Sequence, residues 1–344
     1  MSLHIADFIG NIKYIIEENE IGKGAFSTVY KGKCKNKEDF VAIKKIKFSC
    51  LNSYRKKIVE NEILIHKKLD NKNIVKFIHV FHTVNNLYIV LEYCNFGTLT
   101  NFINFISQIE KENSWNQKIK YFYIYDIVVQ IKNSIFYLYK KGYLHRDIKP
   151  DNILLSISGN EFTVKLSDFG FSLNYQSSEN IEELCGSPLY MSPEILLYNK
   201  NSLKSDIWSL GCLIFEIYYG KNIYEWFTKS KPKNINKLKY FLRGKDFIKI
   251  TNDKILNSEY INIFVLNELL QSCLVIDMEK RISWDNFFSH PFFPNVFNKN
   301  IFIESFSNDN FIKKSSSQTC CDKLQHNKNE CLQNDTENLD FVML

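Results

Sequence analysis

The chain lacks several features that would each assign it to a functional class. No apolar run approaches the roughly 20 residues that span a bilayer, and no secretory leader is recognisable, so a soluble protein with no membrane partner is expected. Position 2 is Ser2 rather than glycine, which removes a myristoylation signal. No block of Lys or Arg marks a nucleic-acid arm; the net charge of +6 is spread along the chain as on an ordinary solvated surface, so no nucleic-acid partner is expected. The nine cysteines form no CxxC pair and are odd in number, which points to reduced thiols in a cytoplasmic compartment, with nuclear entry or a host cytoplasm left open. Gly and Pro are scarce beside abundant Tyr, Phe, Ile, Asn and Lys, a codon-usage bias that says little about activity. There is no internal repeat.

What is present is a chain of 344 residues, 45% apolar, longer than the ~100 to 200 residues of a typical domain. Two packed lobes or a domain with a tail are expected. From about Tyr14 to Leu91, short β-branched and aromatic runs (28–31, 40–46, 87–91) predict strands. One helical stretch interrupts them, from about Tyr54 to Leu69, with Ile58, Glu62 and Ile65 at helical spacing. After Gly97 the pattern turns to long helices such as 118–139, 203–219 and 261–275. From about Asn298 periodicity fades into Ser315-Ser316-Ser317, Cys320-Cys321 and polar residues, which predicts a disordered tail over 298–344.

The chemistry is concentrated in His145-Arg146-Asp147-Ile148-Lys149-Pro150-Asp151-Asn152-Ile153-Leu154-Leu155. This segment puts a candidate base, a cation and a metal-binding amide in one short stretch, followed about one strand later by Asp168-Phe169-Gly170. Upstream, Ile21-Gly22-Lys23-Gly24-Ala25-Phe26-Ser27-Thr28-Val29-Tyr30 lies between two strand signals, where glycines let backbone amides approach phosphate oxygens. Val41-Ala42-Ile43-Lys44 reads as a buried strand ending in a cation. In this order and spacing the segments resemble the protein kinase family.

The resemblance implies an α+β, bilobal kinase-like fold over 14–297, with a β-rich N-lobe carrying one helix (about 14–91), a hinge (92–97) and a mainly α C-lobe (98–297). It also implies ATP and Mg²⁺ as cofactors, with Mn²⁺ a possible substitute. Nucleotide contacts fall on Ile21, Gly22, Lys23, Gly24, Ala25, Phe26, Ser27, Val29, Ala42, Lys44, Leu91, Glu92, Cys94 and Leu154. Ser27 replaces the pattern's third glycine, and Thr98 stands where an acidic ribose contact is common. Lys44 would meet the α and β phosphates, held by a helix carboxylate: Glu62 by its distance from Leu69, with Glu60 the competing candidate. Four residues after Glu62 the family carries an apolar residue, and here it is His66, expected to be satisfied locally. Asp147 would accept the substrate proton, Lys149 would stabilise the transferring phosphoryl group, and Asn152 and Asp168 would bind the metal. His145 and Phe169 read as packing residues.

Lys149 two residues after Asp147, and Leu184-Cys185-Gly186-Ser187-Pro188-Leu189-Tyr190-Met191-Ser192-Pro193-Glu194, resemble the Ser/Thr branch, with Ser187 near Asp147 and Lys149. Asp206 would fasten the catalytic-loop backbone, and Arg281 would pair with Glu194. Cys94-Asn95, Asp168 to Ser172, Leu184 to Pro188 and His290-Pro291-Phe292 are most similar to the autophagy-initiating kinases, ahead of the calmodulin-dependent ones. Expected partners are proteins with Ser/Thr acceptors, the kinase itself acting as a monomer with a regulatory partner possible through the tail. Glu183 would lend Arg146 a standing negative charge, with Ser177 and Ser178 as alternative phosphosites. Asp151, Leu184 and Leu189 would set substrate preference. The rival readings are a pseudokinase scaffold and a kinase of small molecules or lipids, the latter lacking the 184–194 platform.

Overall fold

The computed structural model describes residues 3–5, 14–24, 26–35, 39–111, 117–159, 161–176, 185–230, 234–243 and 261–293. The tail from 298 and Ala25, Ser177, Ser178, Glu183 and Leu184 lie outside the described residues. The chain divides into two compact units, the first comprising 1–97, 133–145 and 152–176 and the second comprising 98–132, 146–151 and the chain from 177.

The first unit is built on a six-stranded antiparallel sheet. Its strands are β1 (Leu3–Ile5), β2 (Tyr14–Lys23), β3 (Ser27–Cys34), β4 (Phe40–Lys47), β5 (Phe77–His82) and β6 (Asn86–Glu92), in the order β1-β2-β3-β4-β6-β5. Alternation along β4 sends Val41 and Ile43 to one face, where they bury with Tyr14, Ile16, Phe81, Tyr88 and Val90. Tyr14 and Tyr88 both stack with Phe81, with ring centroids 5.8 and 4.9 Å away. Ala42, Lys44 and Ile46 take the other face, where Ile46 and Ile89 pack against Val59. Val59 belongs to helix α1 (Ser53–His66), whose first turn is capped by the Asn52 side chain accepting from the Arg55 amide at 2.8 Å. The buried face of α1 carries Ile58, Val59, Glu62, Ile65 and His66, so a carboxylate and an imidazole stand among its apolar residues.

Beyond the large sheet, the unit holds a ladder of β7 (Tyr143–Leu144) with β10 (Leu173–Asn174) and a hairpin of β8 (Ile153–Ser158) with β9 (Glu161–Leu166). Val75 N donates to Leu166 O at 2.9 Å and Leu166 N donates to Asn73 O at 2.9 Å, which ties β9 to the stretch after α1.

The second unit is helical in its described parts: α2 (Leu99–Lys111), α3 (Gln117–Lys140), whose last residues belong to the first unit, α4 (Pro193–Tyr198), α5 (Ser205–Tyr219), α6 (Ile223–Thr228), α7 (Ile235–Arg243), α8 (Ile261–Cys273) and α9 (Trp284–Phe288). α5 is buried along nearly its whole length and packs on α8. An apolar helix enclosed on all sides is the centre of a helical core.

The expected α+β division into a strand-rich N-terminal region and a helical C-terminal region holds. Within the mainly α pattern expected after Gly97, the hairpin β8–β9 and the two-residue strands β7 and β10 were not individually placed. These strands are too short to stand out as a run, and Ile153 and Leu155, the residues that bury them, sit inside the catalytic-loop motif.

Candidate active site

The glycine-rich segment closes the β2–β3 hairpin, where Gly24 N donates to Ser27 O at 2.8 Å. The pairing slips between Glu20 and Gly22, then resumes as Gly22↔Val29 and Lys23↔Thr28. A Cβ on Gly24 would stand 2.7 Å from Ser27 Oγ, which would have to rotate away, while the Ser27 backbone oxygen lies at an ordinary 3.7 Å. At Gly22 a Cβ would meet only ordinary contacts, with Val29 at 3.5 Å. The requirement for glycine at 22 therefore does not come from the chain's own packing.

Lys44 lies on the α1-facing side of β4, in register with Val29 on β3 and Ile89 on β6. Ala42 sits beside Leu91 one row further along. Of the two carboxylates weighed for Lys44, Glu62 is the one it meets, with Nζ 2.7 Å from Oε1 and 2.8 Å from Oε2. Glu60 is exposed and stands 3.9 Å from Lys56. Asp168 Oδ1 is 4.0 Å from Lys44 Nζ, with the Asp168 side chain 45% exposed. Burial pulls the Lys44 pKa down, but the Asp168 and Glu62 carboxylates outweigh it and hold the ammonium above its usual range. Burial pushes the Glu62 carboxyl up, against the opposing pull of Lys44.

Asn152 is buried, and its carbonyl accepts from Ser167 N at 2.9 Å and from Ser167 Oγ at 3.0 Å, which links it to the residue before Asp168. The Asp168 carboxylate and the Asn152 amide are hard oxygen donors of the type that Mg²⁺ takes alongside water and phosphate. No group of three His, Cys, Asp or Glu side chains placed to hold a metal occurs among the described residues.

His66 is satisfied at one nitrogen: Nε2 donates to Val75 O at 2.6 Å, while Nδ1 is buried with no hydrogen-bond partner among the described residues. Its ring centroid is 4.6 Å from that of Phe169 and 5.6 Å from that of Phe77, so the imidazole fills an apolar position. Burial depresses its pKa to about 4 from 6.5; the Val75 carbonyl and Asp168 oppose the shift, and Lys44 and His145 add to it. Between those values the unfolded chain binds a proton that the folded chain refuses. Stability is thus fully present above pH ~6.5 and is lost as pH falls towards ~4, by roughly 3 kcal/mol for this group alone. Urea midpoints at pH 7 and pH 5 should differ less in His66→Leu than in the unsubstituted chain. An unchanged difference would mean that His66 is not the titrating group.

The hinge is anchored at both ends. Glu92 N donates to Lys76 O at 2.9 Å, and the Glu92 carboxylate meets Lys165 Nζ at 3.1 Å and the Lys76 amide at 3.1 Å. With that N–H engaged, the carbonyl is the Glu92 backbone group left for adenine. The Asn95 amide pairs both with the carbonyl of Ile157 (2.9 Å) and with its N–H (2.8 Å). Leu155 N donates to Gly97 O at 2.9 Å, which places neighbouring Leu154 beside the hinge. The Cys94 thiol is buried and its pKa is pushed up to about 12 by that burial, so it stays protonated. Asn95 and Lys165 had no assigned structural role in the sequence; the partners that fix them are mostly backbone groups or distant side chains.

In the second unit, Asp147, Lys149 and Ser187 form a closed triangle. Lys149 Nζ is 2.8 Å from Asp147 Oδ2 and donates to Ser187 Oγ at 2.7 Å, and Ser187 Oγ donates to Asp147 Oδ1 at 2.9 Å. The preceding residue, Arg146, has a left-handed backbone (φ 68). Its amide donates to Asp206 Oδ1 at 2.9 Å, which offsets part of the ~1–2 kcal/mol that this conformation costs a non-glycine residue. Arg281 pairs bidentately with Glu194, at 2.8 and 2.7 Å. Asp151 is exposed and accepts from Thr100 Oγ1 at 2.8 Å, and Thr98 gives its hydroxyl to Asn101 Oδ1 at 2.6 Å.

Comparison with known proteins matches residues 15–293 to the protein kinase domain. The chain is 35% identical over 284 residues to serine/threonine-protein kinase atg1 of Dictyostelium discoideum, covering 80% of this chain and 38% of that one. It is 34% identical over 314 residues to serine/threonine-protein kinase ATG1 of Saccharomyces cerevisiae (79% and 33%) and 32% identical over 283 residues to serine/threonine-protein kinase ULK1 of Homo sapiens (79% and 24%). These relatives agree with the branch that the hinge and Asp168–Ser172 motifs resemble. The chain spans between about a quarter and two fifths of their lengths. With four fifths of its length inside that match, and with a lysine–glutamate pair, a metal-type aspartate and an aspartate–lysine–serine triangle at the positions its motifs name, this chain belongs to the protein kinase family.

Proposed function

We propose that the chain is a protein serine/threonine kinase that transfers the γ-phosphoryl group of ATP, with Mg²⁺ or in its place Mn²⁺, to Ser/Thr hydroxyls of proteins. The observation that carries this reading is the buried Lys44–Glu62 pair beside the accessible carboxylate of Asp168, because it keeps a cation charged and oriented towards a metal-type ligand. In this reading Lys44 binds the α and β phosphates and Glu62 orients it. Gly22 and Gly24 bring amides to the phosphates, with Ile21, Lys23, Ala25, Phe26, Ser27 and Val29 around them. Ala42, Leu91 and Leu154 enclose the adenine, and the Glu92 and Cys94 backbones bond its edge.

Asp168 and Asn152 are the residues to hold the metal, which when bound neutralises charge on the phosphate oxygens. Asp147 orients the acceptor hydroxyl and takes its proton as the oxygen bonds to the γ-phosphorus and the bond to ADP breaks. Lys149, held by Asp147 and Ser187, stabilises the charge on the transferring group. The pairing of Lys149 with Asp147 and the similarity to serine/threonine-protein kinases support serine and threonine as acceptors. Nothing in the residue set favours a non-catalytic scaffold, since Lys44, Asp147 and Asp168 are all present. The six described cysteines are free, which supports a reducing cytoplasm, and no described helix is long and apolar enough to cross a membrane.

Acid hydrolysis of a generic protein acceptor labelled by the full chain should release phosphoserine and phosphothreonine. Phosphotyrosine alone, or label passing only to a lipid or small molecule, would contradict the assignment.

A further inference from the structure

Resting on the kinase reading above, we propose that Asn61 is a positioning residue. Its side-chain amide clamps the segment after Asp168 to helix α1 and so holds the metal-binding carboxylate in place. Asn61 Nδ2 donates to Gly170 O at 3.1 Å and to Ser172 O at 2.7 Å, which uses both of its N–H groups. Asparagine is a poor residue for a helix interior, so a mid-helix Asn has a cost that these bonds, made more than 100 residues along the chain, offset.

The contact is one part of a continuous seam. One turn before Asn61, Ile58 lies so close to Gly170 that a Cβ there would fall 2.9 Å from Ile58 Cγ2, so only glycine lets the segment approach α1 this closely. The residue after Asn61 is Glu62, bonded to Lys44, and one turn further on the His66 ring packs against Phe169. Asp168 itself has φ 63, a left-handed backbone that a non-glycine residue holds only when its surroundings impose it. Within the segment, Gly170 N reaches Asp168 Oδ1 at 3.3 Å. Asn61 adds a restraint from α1 by fixing the carbonyls of the second and fourth residues after Asp168. Without its donors two carbonyls face α1 unpaired, and the segment is released together with Asp168.

The test uses the full chain with Asn61→Ala and Asn61→Asp, the latter isosteric but without the two donors. The Mg²⁺ concentration for half-maximal transfer is expected to rise by about 10-fold in Asn61→Ala, the effect of roughly one lost hydrogen bond, and further in Asn61→Asp, whose charge faces two carbonyl oxygens. A second measurement needs neither metal nor nucleotide. Hydrogen exchange of a peptide spanning 168–176 should quicken in Asn61→Asp while peptides from β2 to β4 stay as in the parent chain. Unchanged exchange at 168–176 would overturn the proposal. So would equal effects of Ala and Asp with exchange raised through the whole sheet, because that is the result of lost packing. A parent chain without transfer activity contradicts the kinase reading, and the exchange experiment then still decides the role of Asn61.

Discussion

Asp147→Asn is expected to slow phosphoryl transfer by about 10²- to 10⁴-fold, the range that a positioned general base contributes, with ATP binding and folding preserved. Asparagine has the shape of aspartate and keeps an oxygen for the Ser187 hydroxyl, now 2.9 Å from Oδ1. What disappears is the negative charge 2.8 Å from Lys149 and the capacity to take a proton. Lys149 keeps some contact with solvent, its side chain being 22% exposed, so its loss of a partner is a small stability cost. The groups assigned to the nucleotide (Lys44, Glu62, the hinge and Asp168) belong to the other compact unit, and Lys44 is held by Glu62 within it. The effect should therefore appear in kcat while the dissociation constant for ATP stays within about twofold, as for an interaction made only in the transition state. Parallel loss of ATP affinity and kcat would assign Asp147 to binding instead.

Arg281→Ala should cost about 3–5 kcal/mol of stability, the penalty for removing one partner of a buried ion pair, seen as a fall in Tm on the order of 10 °C. The guanidinium is 1% exposed and donates to both Glu194 oxygens, to Lys204 O at 2.9 Å and to Val275 O at 3.1 Å. Its removal leaves Glu194, itself 4% exposed, charged and without its cation; Ser205 Oγ, at 3.0 Å, is too weak a donor to replace it. Burial works to raise the Glu194 pKa, and the bonds from Arg281 more than reverse this and hold it low. The stability it confers is accordingly present above the ordinary glutamate pKa of ~4.3 and lost as pH falls through the lower folded value. Pairing Arg281→Met with Glu194→Gln should recover much of the loss, because no buried charge then lacks a partner. Thermal unfolding of the single and double variants measures both effects, and a single-variant shift of under about 2 °C would place Arg281 outside the stability core.

The side chains set by spacing within a motif were legible. Lys44 follows from its place at the end of the apolar run Val41-Ala42-Ile43, and Glu62 was separable from Glu60 by its distance from Leu69. His66 stood out because it departs from the family's apolar residue at that position, and its local satisfaction through Val75 O agrees with the expectation. Asn61 was not legible: its partners are the carbonyls of Gly170 and Ser172, and a carbonyl carries no residue identity to read. The same holds for Asn95 on Ile157 and for Lys165 on Lys72 O. The left-handed backbones of Arg146 and Asp168 were equally silent, since neither residue is a glycine that would announce them. Strand β8 begins inside a motif read for its chemistry, which hid the start of its hairpin with β9.

The central claim is catalysis rather than display of a kinase fold, and transfer of labelled γ-phosphate from ATP by the intact chain, alongside an ATP-binding titration of the same sample, tests it most directly. The account predicts that with Mg²⁺ the label moves to protein Ser/Thr hydroxyls, and that without a divalent cation it stays on the nucleotide. A chain that binds ATP at one site yet leaves the label on the nucleotide with Mg²⁺ and with Mn²⁺ would contradict it.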